Sequence, residues 1–162
     1  MGYTLRAALD VLPPGARVVV SELNAAVEAW CRGPLAVLTG GAVLDPRVSV
    51  EIADVAARIA AAPAGGLDAI LLDLYEGPQE VARRPADPFY GEAALRRARA
   101  ALAPGGVLAI WSEEPSAPFA RRLAGVGFEV ETHRAGRGGR SHVIYLGRRR
   151  RASPRRSVTR PG

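Results

Sequence analysis

Residues 67–78 read LDAILLDLYEGP, the stretch of the chain that says most about its fold. The apolar run 69–72 predicts a buried strand, and Asp73 follows at its carboxyl end. Glu76 comes three residues later, before a glycine and a proline that indicate a loop. Ligands bind at the carboxyl ends of the strands in open α/β sheets. Asp73 and Glu76 are therefore candidate catalytic acids that bind a cationic group or accept a proton from an amine, with solvated loop acids as the alternative.

The chain on either side of this stretch alternates between strand and helix patterns. Strands are predicted at RVVVSEL (17–23), RVSVEI (47–52) and VLAIWSEE (107–114), and amphipathic segments between them predict helices. The β-branched run in 17–23 is typical of a strand buried on both faces. FEVETHR (128–134) and SHVIYLGR (141–148) predict a closing antiparallel hairpin. The order predicts a Rossmann-like α/β fold, in which a mostly parallel sheet carries helices on both faces.

The first residues predict an unusual beginning for such a fold. Leu5, Ala8, Leu9 and Leu12 recur on one helix face directly after Gly2. A glycine in that place typically closes a phosphate- or cofactor-binding turn, and such a turn needs a strand before it. We therefore expect the first, central strand of the sheet to be missing, either by truncation or by a misassigned start, and Gly2 is a candidate cofactor-binding residue.

Two more acids stand at the ends of predicted strands. Glu22 is placed where an acid typically accepts hydrogen bonds from ribose hydroxyls, and its alternative is a helix-start acid favoured by the helix dipole. Asp54 is a candidate for hydrogen bonding to an adenine amino group or, equally, for the N-cap of the next helix. The sequence thus predicts a row of acids along one edge of the sheet.

Aromatic and histidine side chains give weaker signals. Tyr75 and Tyr90 flank the proline-rich segment 79–88, a predicted surface loop or lid. The two tyrosines either line a substrate pocket or pack in the core. His133 and His142 lie far along the chain from the strand-end acids, and there is no Cys/His cluster, so no metal site is predicted.

The basic residues are unevenly distributed. All 22 are arginine, which excludes Schiff-base chemistry through lysine and a phosphate-binding loop with a lysine. Residues 148–162 contain seven arginines and no acid, whereas residues 1–147 contain 15 arginines and 16 acids. We expect one domain over 1–147 and a disordered Arg-rich tail over 148–162. The tail is expected to be solvated, with weak nonspecific nucleic-acid contact as the alternative.

The number of cysteines and the hydropathy of the chain predict its cellular compartment. The single cysteine, Cys31, cannot form an internal disulfide, and it is expected to be a small buried side chain. No apolar run reaches the length of a membrane span, and no signal peptide is visible. These features predict a cytoplasmic protein that does not contact membranes.

In this order, the strand-end segments resemble the spermidine synthase (polyamine aminopropyltransferase) family, which has the class I S-adenosylmethionine-dependent methyltransferase fold. VVVSELNAAVEAW (18–30) resembles that family's E-[IL]-D-x-x-V-[IV]-E segment. Glu22 falls on the ribose-binding acid, and Asn24 replaces the usual Asp. In DPRVSVEIADV (45–55), Asp54 falls on the adenine-side Asp, after an alanine where the family has glycine.

The stretch 67–78 resembles the Y-D-x-I-x-x-D-x-x-D-P segment of the same family. Asp73 falls on the catalytic acid and Glu76 on the second acid. The family's D-S-S-D-P pattern is changed here to D-L-Y-E-G-P, which bears on polyamine specificity.

The resemblance implies transfer of an aminopropyl group from decarboxylated S-adenosylmethionine to a polyamine amine, without a metal and in a possible homodimer. It implies that Asp73 accepts the proton of the attacking amine or positions that amine, and that Glu76 helps to neutralise the polyamine. Methyl transfer from S-adenosylmethionine on the same fold is the first alternative. A truncated, catalytically inactive binding module is the second.

Overall fold

A computed structural model describes residues 2–74, 77–78, 86–135 and 142–151. The chain divides into two compact units, Met1–Ala61 and Ala62–Gly162, called here the N-terminal and C-terminal units. The prediction of one domain over 1–147 stays a prediction. No helix in the described part of the chain is long and apolar enough to cross a membrane.

The N-terminal unit contains a two-stranded parallel sheet and three helices. Its elements are α1 (Tyr3–Val11), β1 (Val18–Glu22), α2 (Ala25–Arg32), β2 (Val48–Ile52) and α3 (Val55–Ala60). The pairing register runs from Val18 opposite Val48 to Glu22 opposite Ile52. Both strands therefore end at the same edge of this small sheet.

The start of α2 is fixed by a side-chain cap. Asn24 accepts the Ala26 N–H at 2.9 Å through its side chain and caps α2. Cys31 is buried in α2, as expected, whereas the neighbouring Trp30 is 53% exposed. The loop-rich connection after α2 contains two short 3₁₀ turns, Ala36–Thr39 and Ala42–Leu44.

The prediction that the first strand is buried on both faces is wrong. Val18 and Val20 in β1 are half-buried, and Val19 is 44% exposed. The physical reason is pairing, because β2 is the only strand among the described residues that pairs with β1, and a two-stranded sheet covers little of its own surface. A β-branched run reports strand propensity and not the number of neighbouring strands.

Among its described residues, the C-terminal unit contains a four-stranded mixed sheet and two helices. Its elements are β3 (Leu67–Leu72), α4 (Glu92–Ala101), β4 (Leu102–Ser112), α5 (Ala117–Gly125), β5 (Phe128–Ala135) and β6 (His142–Arg149). The strand order is β3-β4-β6-β5, with β3 and β4 parallel and β6 antiparallel to both of its neighbours. The predicted closing hairpin is therefore β5 and β6, and β6 joins it to the parallel pair.

One face of this sheet forms the core with α4 and α5. Leu108 and Ile110 of β4 and Tyr145 of β6 are almost completely buried on this face. Phe119 of α5 packs edge-to-face on Tyr145 with ring centroids 5.1 Å apart. The Tyr145 hydroxyl also hydrogen bonds with the backbone of Ser116, which fixes the start of α5 against the strand.

Two predicted boundaries move in the structure. The strand predicted to begin at residue 107 begins at Leu102, which pairs with Leu67 before an irregular stretch that contains Gly105 and Gly106. At the other end, β6 continues through Arg149, inside the segment predicted as a tail. Strand pairing explains both shifts, since hydrogen bonds to a neighbouring strand extend β4 and β6 beyond their apolar runs.

The predicted fold class is confirmed: the chain is a Rossmann-like α/β protein with parallel strands and a closing antiparallel hairpin. The described residues form two sheets, one in each unit. Within them, β1 and β3 each pair on one side only, so each presents one unpaired strand edge.

Candidate functional site

Glu22 lies at the carboxyl end of β1 and is held in place by backbone contacts. Its Oε1 accepts the Asn24 N–H at 2.9 Å, and its carbonyl oxygen accepts the Ala53 N–H at 3.0 Å. The first bond orients the carboxylate in the turn between β1 and α2, and the second ties that turn to the end of β2. The side chain is half-buried. Since Asn24 caps α2, the carboxylate of Glu22 is not needed for that cap.

Asp54 lies at the same sheet edge, two residues past the end of β2. Its Oδ1 accepts the N–H groups of Ala56 at 2.6 Å and Ala57 at 3.2 Å, so Asp54 is the N-cap of α3. The capping alternative therefore holds. The cap engages Oδ1, and the residue is exposed. A carboxylate has a second acceptor oxygen, Oδ2, which neither of these capping bonds uses.

Gly2 precedes α1 with a left-handed backbone conformation, φ +86°. A Cβ at this position would lie 3.4 Å from the Thr39 side chain, which is buried. Residues with a side chain rarely adopt this backbone conformation, so the position favours glycine. The absence of a side chain also lets the backbone pass close to Thr39. The assignment of Gly2 to cofactor binding remains a prediction.

Asp73 lies directly after β3 with an exposed side chain. Its place at the carboxyl end of a parallel strand is the one that the sequence predicts for a functional acid. Glu76 and Tyr75 lie outside the described residues, so their predicted roles remain predictions.

Tyr90, which the sequence predicts either to line a substrate pocket or to pack in the core, lies in the core. The residue is 2% exposed, and its ring lies edge-to-face on Phe119 with centroids 5.8 Å apart. The Tyr90 carbonyl oxygen accepts a hydrogen bond from Arg122 Nη1 at 3.2 Å. The ring therefore packs in the core, and its role in a substrate pocket stays a prediction.

Histidines make no metal centre among the residues that the structure describes. Nowhere in those ranges do three His, Cys, Asp or Glu side chains come together in a way that could hold a metal ion. His133 Nε2 lies 3.3 Å from Glu131 Oε2 on exposed β5, and the His142 ring packs on Trp111 with centroids 5.2 Å apart.

An ion pair before β2 is a feature that sequence reasoning missed. Arg47 Nη2 lies 2.9 Å from Asp45 Oδ2, Arg47 Nε lies 3.0 Å from Oδ1, and the Arg47 N–H also donates to Oδ1 at 2.9 Å. Arg47 Nη1 donates to the Leu12 carbonyl oxygen at 3.0 Å, past the end of α1. These hydrogen bonds from Arg47 lower the pKa of Asp45 from 3.8 to about 2.

The spacing Asp-Pro-Arg is the signal that could have revealed this pair. An acid followed two residues later by arginine can close a turn through its side chain. The pair fixes the entry to β2 and thereby the end of the strand that leads to Asp54.

Solved structures match the chain over most of its length and define its fold class. The chain has the class I S-adenosylmethionine-dependent methyltransferase fold, in its spermidine synthase-like form. The spermidine synthase from Thermotoga maritima matches with a TM-score of 0.74 and 20% identity, over 91% of this chain and 50% of that chain. A spermidine synthase in complex with the transition state analogue AdoDATO matches with a TM-score of 0.71 and 19% identity, over 91% and 49%.

A methyltransferase is also similar in structure. The S-adenosylmethionine-dependent methyltransferase SibL, in its apo form, matches with a TM-score of 0.57 and 22% identity, over 85% of this chain and 45% of that chain. The chain thus spans about half the length of these solved structures. No protein-family model and no curated protein matches the sequence.

Proposed function

We propose that the chain is a transferase domain that binds the adenosyl part of decarboxylated S-adenosylmethionine and transfers its aminopropyl group to a polyamine amine. The observation that carries this proposal is the position of Glu22. Its carboxylate is oriented by the Asn24 N–H at the carboxyl end of β1, at the edge where Asp54 follows β2. Ligands of open α/β sheets bind at that edge.

The two acids of the N-terminal unit suit the two polar parts of adenosine. A carboxylate accepts hydrogen bonds only, and the ribose hydroxyls donate them, so Glu22 is the ribose ligand in this proposal. Oδ2 of Asp54 is an acceptor for the adenine amino group. Because Oδ1 of Asp54 stays on the backbone of α3, the carboxylate is already oriented before the ligand arrives.

The proposed reaction is a displacement at carbon. The lone pair of the acceptor nitrogen forms a new C–N bond with the aminopropyl carbon attached to the sulfonium sulfur. The C–S bond breaks, its electron pair stays on sulfur, and methylthioadenosine leaves. The nitrogen must lose a proton, and we assign that proton to the Asp73 carboxylate, with Glu76 neutralising the second charge of a polyamine.

Methyl transfer from S-adenosylmethionine is the second candidate, favoured by the likeness to SibL. The two candidates share the adenosyl-binding residues and differ in the donor group. A binding module without activity is the third, since the chain spans about half of the spermidine synthases that it resembles. Ligand binding and turnover are therefore measured separately.

Calorimetry with 5′-methylthioadenosine tests adenosyl binding. We expect Glu22→Gln to weaken binding about tenfold or more, because a hydrogen bond to a charged group contributes about 1.5–3 kcal/mol. Glutamine keeps an oxygen for the Asn24 N–H, so the turn survives. Asp10→Asn is the control, since it removes a carboxylate whose ion pair with Arg6 is exposed. Equal affinity in the Glu22→Gln variant and the parent chain would contradict the assignment of Glu22.

Turnover assays with the two donors separate the reactions. Decarboxylated S-adenosylmethionine with a linear diamine is expected to give methylthioadenosine, and S-adenosylmethionine with the same diamine is expected to give no product. We expect Asp73→Asn to lower kcat by about 10²–10⁴, the usual contribution of a positioned base, with little change in methylthioadenosine affinity. Binding without turnover of either donor would support the inactive module.

A further inference from the structure

Four consecutive arginines gather at the edge of the C-terminal sheet opposite to Asp73. β6 runs antiparallel to β4, so Arg148 lies opposite Val107, near the beginning of β4. Asp73 follows the end of β3, which is parallel to β4. Arg148–Arg151 therefore stand at the edge where β3 and β4 begin, and the proposed transferase chemistry does not use them.

Backbone carbonyl groups hold two of these side chains. Arg149 Nη1 donates to the carbonyl oxygens of Arg99 and Ala100, each at 3.1 Å, and also to that of Leu102. Arg148 Nη1 donates to the Gly105 carbonyl oxygen at 3.3 Å. Carbonyl groups orient guanidinium groups without neutralising their charge. Arg148 and Arg149 are therefore held at the end of β6 with their charges intact.

The same arginines surround an open cavity of about 430 Å³. Its lining among the described residues consists of Arg148–Arg151 and Glu129. Arg150 Nε pairs with Glu129 Oε1 at 3.0 Å. Guanidinium groups keep their charge at all ordinary pH values, so four positive charges face one negative charge in this cavity. An anion that enters it would relieve the repulsion among the arginines.

The chemistry of the lining side chains selects the class of anion. Guanidinium forks match phosphate oxygens in a bidentate manner, and several forks side by side match a row of phosphates. Among the described residues, no aromatic side chain lines the cavity to stack on bases. The described lining contains no large apolar side chain either, and insertion into a lipid surface needs such side chains.

The geometry points to a nucleic-acid-binding surface at this sheet edge, in which Arg148, Arg150 and Arg151 contact the phosphodiester backbone without reading its sequence. Arg149 is a positioning residue, because its Nη1 is engaged by the backbone around the end of α4. The sequence continues this charge beyond the cavity, since residues 152–162 contain three more arginines and no acid.

Fluorescence anisotropy with a labelled single-stranded oligonucleotide of mixed sequence tests the surface on the full chain. Arg148→Gln/Arg151→Gln removes two charges from the cavity, and Arg97→Gln/Arg121→Gln removes two exposed charges from α4 and α5. We expect the first variant to flatten the slope of log K against log salt by about 1.4, at about 0.7 per phosphate contact on a single strand. The second variant should leave the slope unchanged, and a second oligonucleotide of different sequence should bind equally.

A third variant, Arg155→Gln/Arg156→Gln, separates the cavity from the sequence beyond it. The proposal is overturned if this variant loses the salt-dependent binding while Arg148→Gln/Arg151→Gln behaves like the α4/α5 control. Preference for vesicles of anionic lipid over the oligonucleotide would also overturn it. Circular dichroism checks the folding of each variant. Arg151→Gln alone, at an exposed position, is expected to give half of the slope change if the double variant does not fold.

Discussion

Asp45 and Arg47 show how two residues can fix the entry to a strand. Their three contacts close a turn, and the Arg47 fork then reaches the Leu12 carbonyl oxygen beyond α1. Both side chains are only 17% exposed, so solvent screens the pair less than an open surface pair. The contacts therefore couple the end of the first helix to the start of β2.

The lowered pKa of Asp45 predicts an acid-dependent loss of stability. The carboxyl has a pKa of about 2 in the folded chain, against 3.8 without its partners. Folding therefore favours the ionised form, and the stabilisation is complete above pH 3.8 and disappears as the pH falls towards 2. We expect Asp45→Asn to be less stable than the parent chain at pH 7, and the difference should shrink over this interval.

Urea unfolding at several pH values between 7 and 2 measures this difference. Asp10→Asn is the control, because its ion pair with Arg6 is more exposed. A difference between Asp45→Asn and the parent chain that stays constant down to pH 2 would argue against the pair as its source.

At the scale of elements, the irregular start of β4 depends on glycine. A Cβ at Gly106 would lie 2.9 Å from the Ala103 carbonyl oxygen and 3.0 Å from that of Asp68. Both atoms belong to the backbone, so neither can rotate away. The glycines let β4 bulge against β3 at this point.

Gly106→Ala is therefore expected to destabilise the chain by about 1–3 kcal/mol, the usual cost of overpacking. Gly125→Ala provides the matched control, because it lies in α5 and a Cβ there meets nothing within 4 Å. That substitution should be neutral or stabilising by up to about 1 kcal/mol, since alanine is the better helix former. Chemical denaturation of both variants measures these changes in the free energy of unfolding. Equal free energies of unfolding for the two variants would contradict the close approach at Gly106.

At the scale of the whole molecule, the unpaired edges of β1 and β3 affect solution behaviour. An unpaired strand edge offers N–H and C=O groups to another chain. Val19 in β1 is 44% exposed and Leu71 in β3 is 50% exposed, so apolar side chains accompany these groups. The combination predicts self-association.

Sedimentation at increasing protein concentration tests this prediction. We expect Val19→Lys/Leu71→Lys to lower the average mass towards that of the monomer, since lysine on an edge strand opposes pairing. Val37→Lys is the control because Val37 is 83% exposed in a 3₁₀ turn and not in a strand. If the control dissociates the assembly equally well, net charge and not edge pairing explains the effect.

The sequence alone determined the order of the elements and the start of most helices, because these depend on neighbours a few residues apart. Asp54 caps α3, which is one of the two roles predicted for it, and Asp73 follows its strand. The α/β class followed from the alternation of such local signals. Glu22 was placed at a strand end by the same logic.

Only the tertiary structure decided which strands pair and what each side chain meets. The exposure of Val19, the burial of Tyr90 in the core and the bulge at Gly106 all depend on residues distant in sequence. The sequence predicts a disordered tail after residue 147, yet the Arg149 side chain donates hydrogen bonds to carbonyl groups about 50 residues away. Contacts between residues so far apart produce no periodic pattern of residue types in the sequence, because only the folded sheet brings the partners together.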